Sequence, residues 1–170
     1  MFKCLFLVVT IIGLAMSPVM AGEGPIKVVV AVPFQDEKKI QKNVLEECVT
    51  LGDKLSNFTS SYSKKAGIDI ELVESLPSPE SGERFLKIEI VNAISQGNAF
   101  TGHAKFVAIE GTLYENGEVA GSFSGARSSG GGVFGGYKGA CAILGRCVKT
   151  LGKDIAGWLK SPGVDSRIGE

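Results

Sequence analysis

Asn116-Gly117 stands between two stretches that both read as extended chain, Ala104 to Glu115 and Glu118 to Arg127. Asn-Gly between extended segments is the strongest short-range hairpin signal, because both central residues of a type I′ turn need positive φ. The turn sets a register in which Glu115 faces Glu118, Tyr114 Val119, Thr112 Gly121, Glu110 Phe123, and Phe106 Arg127. Side chains alternate across a strand, so this register predicts two faces. Val107, Ile109, Leu113, Ala120 and Ala126 form an apolar floor on which helices rest. On the other side lie Phe106, Tyr114 and Phe123, with Glu110 and Arg127 among them. Two readings stand for that second side: a partner or ligand surface, or a half-exposed sheet with scattered aromatics.

The rest of the chain supplies the layers. Ile26 to Val32 is a β-branched, nearly continuous apolar run stopped by Pro33, the pattern of a strand covered on both faces. Ile40, Val44, Cys48, Leu51, Leu55, Phe58 and Tyr62 then recur every three or four residues, which aligns them on one face of a helix. Asp36 and Glu37 suit its positive start, Lys64 and Lys65 its negative end, and Gly67 a C′ stop. One helix of about 30 residues would span about 45 Å, so Gly52 is a candidate bend. Cys48 reads as a small core hydrophobe on this stripe. Ile68 to Val73 is a second short strand, Leu76 to Gly82 a loop, and Leu86, Ile88, Ile90 and Ile94 the buried side of a third strand.

The first 21 residues read as an address. Lys3 precedes an apolar run from Cys4 to Met16, and Val19-Met20-Ala21 offers small residues before Gly22, the pattern of a cleaved signal peptide. Ser17-Pro18 breaks the run before the roughly 20 apolar residues that span a bilayer. Cys4 begins the run, whereas lipidation needs a cysteine just after it. The expectation is therefore a soluble exported chain in an oxidising compartment, with one domain over residues 22–160, a short tail over 161–170, and no stable membrane span after the signal is removed. The full chain has net charge +0, and removal of Lys3 makes it slightly acidic, which offers no electrostatic footing for nucleic acid.

Two features of the last quarter invite chemistry and fail. Gly130 to Gly135 satisfies G-x-G-x-x-G, but the nucleotide fold needs a parallel βαβ unit, and here the preceding strand is the second arm of a hairpin. Gly131 and Gly136 have the P-loop spacing, yet Tyr137 stands where its lysine belongs. The segment Ser128 to Gly139 reads as a crossing from sheet to helix, with Phe134 and Tyr137 pinning it. With Cys48 in the core, Cys141 and Cys147 are the expected disulfide. Six residues apart on a continuous helix they would sit about 9 Å apart along the axis, so the bond requires the helix to start after Cys141, near Leu144 to Arg146. Leu144, Val148, Leu151, Ile155 and Leu159 form the helical stripe, and Pro162 and Gly163 end the fold.

No catalytic constellation is present. His103 is the only histidine, which leaves multi-histidine metal sites and a Ser-His triad without support. Glu89 and Glu110 read as alternating strand charges rather than an acid–base pair. The hairpin Glu110-Gly-Thr-Leu-Tyr-Glu-Asn-Gly-Glu-Val, the following Gly121-Ser-Phe-Ser-Gly-Ala-Arg-Ser-Ser-Gly-Gly-Gly and the terminal Leu151-Gly-Lys-Asp-Ile-Ala-Gly-Trp-Leu resemble a bacterial family catalogued as domain of unknown function 4410. That resemblance covers 107–160 most specifically and implies an exported or lipid-anchored envelope protein with no enzymatic role. Family members often carry Asp where Glu115 stands, and no functional residues transfer. The reading is an α/β (α+β) domain, β-α-β-β-β-α, with a mixed sheet, an antiparallel hairpin and two helices on one face. The expected role is a non-catalytic periplasmic or secreted interaction module with an envelope protein partner and no cofactor or metal. The alternative is a binder of a sugar, lipid or peptide on the hairpin's aromatic face.

Overall fold

The computed structural model describes residues 24–98, 102–129 and 139–169. The signal peptide assigned to 1–21 and residues 130–138 of the Ser128–Gly139 crossing lie outside the described residues. Six strands form one sheet: β1 (Ile26–Val29), β2 (Ile70–Val73), β3 (Phe85–Asn98), β4 (Gly102–Glu115), β5 (Glu118–Ser129) and β6 (Ser166–Ile168). Their order is β2-β1-β3-β4-β5-β6. β1 runs parallel to both β2 and β3, β3 to β5 form an antiparallel meander, and β6 returns parallel to β5. The fold is the mixed α/β arrangement expected, with six strands and three helices among the described residues where β-α-β-β-β-α has four and two. The fold does not end at Pro162-Gly163, because Ser166–Ile168 pairs with Phe123–Gly125.

The helical stripe divides at its middle. α1 (Lys42–Glu47) and α2 (Leu51–Lys65) are separated at Cys48–Thr50, so the break lies ahead of Gly52. Gly52 serves contact instead, for a Cβ there would collide with the Val32 backbone carbonyl. α3 (Ala140–Trp158) starts before Cys141 and is continuous through Cys147. All three helices pack on one side of the sheet, enclosing Ile26, Val28, Leu86, Ile88, Ile90, Val107, Ile109 and Leu113 against Val44, Leu51, Leu55, Leu144, Val148, Leu151 and Ile155. α2 and α3 advance together, Lys54 beside Gly145 and Phe58-Thr59 beside Gly152. That parallel pairing brings Cys48, just after α1, beside Cys141 in the first turn of α3.

The disulfide is therefore Cys48–Cys141, with Cα atoms 5.2 Å apart, and Cys147 is a buried free thiol. The expected Cys141–Cys147 bond is excluded by the helix itself, whose rise separates the two positions by about 9 Å. Cys48 is buried in the core as expected, at 3% exposure. Burial did not exempt it from bonding, since its partner arrives from the same core.

Candidate functional site

The hairpin turn has the expected geometry, with φ of 53° at Asn116 and 85° at Gly117, and Glu115 faces Glu118. Tyr114 faces Val119, but Leu113 faces Gly121, which leaves Ala120 as an extra residue on β5. Such a bulge shifts the parity of everything beyond it. Thr112 consequently faces Ser122, Glu110 faces Ser124, and Phe106 faces Ser128, each one residue away from the expected partner. A second register shift on β3, between Ile90 and Asn92, moves Ile94 off the core side and places Ala93 there.

These shifts split the five residues assigned to one aromatic face. Phe106, Glu110 and Tyr114 do lie on the side away from the helices. Phe123 and Arg127 lie on the helical side, opposite Gly111 and Val107. Phe123 is 3% exposed, its ring over Gly111, and it meets Trp158 edge to face at 4.8 Å between centroids. Arg127 forms a two-pronged ion pair with Asp154 of α3, Nε to Oδ2 at 2.9 Å and Nη2 to Oδ1 at 3.1 Å. The hydrogen bond to Asp154 holds the guanidinium above its ordinary pKa, against the opposing effect of burial. Ala126, expected on the floor, is off the helical side and faces Ala108, whereas Ala120 packs against the core as expected.

What remains on the outer side is a trough. Its larger part, about 520 Å³, has small side chains at its base, Ala108, Ser124 and Ala126, between Val91, Phe106 and Arg167. The hollow follows from residue size: alanine and serine among larger neighbours leave a channel. A polar extension of about 370 Å³ continues past Thr112, Ser122 and Asp165, sharing Glu110, Ser124 and Arg167 with the first part. Glu110 accepts a hydrogen bond from Gln35 Nε2 at 3.3 Å, and Lys87 pairs with Glu89 at 2.9 Å. Farther along the same face Tyr114 stacks on Phe85, with centroids 4.7 Å apart and planes 14° from parallel.

Val91, Ala108, Ala126, Arg167 and Ile168 were not among the sequence candidates. Only Arg167 and Ile168 had no signal at all, since the tail carried no strand pattern. The others follow from the bulges, which apolar alternation hides. Among the described residues no group of three or more His, Cys, Asp or Glu is placed to hold a metal ion. No helix among them is long and apolar enough to cross a membrane.

No protein-family model matches the chain, and no curated protein matches it significantly. Among solved structures it is similar to the PelC dodecamer from Paraburkholderia phytofirmans, at 12% identity and TM-score 0.47, over 76% of this chain and 86% of that one. It is similar also to lipoprotein GNA1162 from Neisseria meningitidis, at 15% identity and TM-score 0.46, over 78% and 99%. A minor lipoprotein from Acinetobacter baumannii follows at 11% identity and TM-score 0.42, over 76% and 91%. At such scores these likenesses carry no functional information.

Proposed function

We propose that this chain is a non-catalytic interaction or assembly module of the bacterial cell envelope, exported by its N-terminal leader and engaging an envelope protein through the outer face of its sheet. One observation carries the reading: all three helices pack on one side of the sheet, and the other side holds a trough with an apolar base and a polar end. The leader pattern of residues 1–21 and the hairpin's resemblance to an exported family support the address. Crosslinking and pull-down from envelope fractions test it. A reproducible protein partner is expected, and its loss when Ala126 is changed to Glu, with the fold intact, places the contact on the trough. Equal capture by Ala126→Glu would remove the trough from the interface.

A second reading is favoured by the size of the trough, whose larger part lies within the roughly 300–1,000 Å³ typical of small-ligand sites. In that case the isolated protein gains thermal stability with a sugar, lipid or peptide, and the Phe106→Ser change removes the gain.

A further inference from the structure

Lys105 is 4% exposed, an unusual position for an ammonium group, since lysine is almost never so buried without an opposite charge. It sits on the helical side of β4, opposite Ser95 on β3 and Ser129 on β5. Its Nζ donates to Ser95 Oγ at 2.9 Å and to the Gln96 carbonyl at 3.3 Å, both uncharged acceptors. The surroundings are held in place: the Ser95 amide donates to Gln41 Oε1 at 2.7 Å, and the Cys147 thiol lies 3.9 Å from the Lys105 carbonyl. An ammonium carries three donors and no acceptor, so among the described residues one donor and the whole charge are left over.

Among the described residues no carboxylate forms an ion pair with Lys105. The flanking sequence offers none either, for residues 97–104 and 130–139 contain no Asp or Glu. Burying an uncompensated charge is costly, and two neutral hydrogen bonds offset only part of that cost. We infer that Lys105 is the cationic anchor of a binding site for a small oxyanion, a carboxylate or a phosphate supplied from outside the chain. Ser95 positions the ammonium, and the unused N–H meets the anion in a charge-assisted hydrogen bond. This site lies on the helical side of the sheet and is separate from the trough.

The test uses the mature full-length chain at constant ionic strength, with chloride exchanged for inorganic phosphate in one series and for acetate in another. Thermal midpoint and calorimetric titration are read for the wild type, Lys105→Gln and Lys105→Arg. The wild type is expected to gain a saturable stabilisation in at least one series, and the series that responds assigns phosphate or carboxylate. Lys105→Gln should weaken that binding by about 10-fold or more, the scale of a hydrogen bond to a charged group, while Lys105→Arg retains most of it. Absence of saturation in both series, or an undiminished response in Lys105→Gln, overturns the inference. Should Lys105→Gln not fold, the ¹⁵N resonance of the Lys105 ammonium in the wild type decides: a shift on adding the responding anion is expected, and no shift rejects the site.

Discussion

Phe106 and Phe123 are the same residue type on neighbouring strands, yet their substitution should cost very different amounts. Phe123 fills the space over Gly111 and against Trp158. Removing it leaves a core cavity, and Phe123→Ala is expected to lower unfolding free energy by about 3–5 kcal/mol in denaturant titration. Phe106 is only half-buried on the outer face, so Phe106→Ser should cost much less; equal losses would mean that the bulge at Ala120 is misplaced. Cys147 gives a pH test. Burial raises its thiol pKa, with a smaller opposing backbone hydrogen bond. A raised folded-state pKa stabilises fully below the unfolded thiol's value and is lost as pH climbs through the folded one. Stability should therefore fall at alkaline pH, less so in Cys147→Ala than in the wild type. Iodoacetamide at neutral pH should label Cys147 only after denaturation, and rapid labelling of the native protein would contradict its burial.

At the scale of elements, two junctions hold the helical layer. The Cys48–Cys141 bond joins positions 93 residues apart, and closing so long a loop restricts the unfolded chain by about 4–5 kcal/mol in the loop-entropy account. Peptide mapping without reductant should yield a Cys48–Cys141 linked pair, and changing both to serine should lower stability by an amount of that order; a Cys141–Cys147 peptide would refute the pairing. The second junction is Gly152, where a Cβ would lie 2.8 Å from Phe58 Cβ and from the Thr59 amide nitrogen. Gly152→Leu should force α2 and α3 apart and cost at least about 1–3 kcal/mol by overpacking. β1 to β5, both helical stripes and the turn were legible because each follows a local period or a local dipeptide, whereas β6 was not, since Ser166–Ile168 is too short to show a period. The bulges were not, since Ala120 and Val91 fit an alternating pattern as well as their neighbours do. The disulfide was misread because it depends on how α2 and α3 align, a tertiary fact that spacing along one helix does not contain.

For the whole molecule, the consequence is a one-sided architecture. The core uses one face of a six-stranded sheet, and the other face presents the trough between Phe106 and Arg167. Three of the five residues of the expected aromatic face lie there, Phe106, Glu110 and Tyr114. The other two, Phe123 and Arg127, hold structure against α3, and the groove's alanines were invisible as functional residues because small side chains matter only by the space they leave. We propose that this outer face is where the chain meets its partner. Site-specific photocrosslinking in the envelope tests it most directly, with the reactive group placed at Ala108 or Ala126 in the trough and at Ser61 or Lys153 on the helical side. One reproducible adduct is expected from the trough positions and none from the helices; adducts from Ser61 and Lys153 with none from Ala108 and Ala126 would place the contact on the helical side instead.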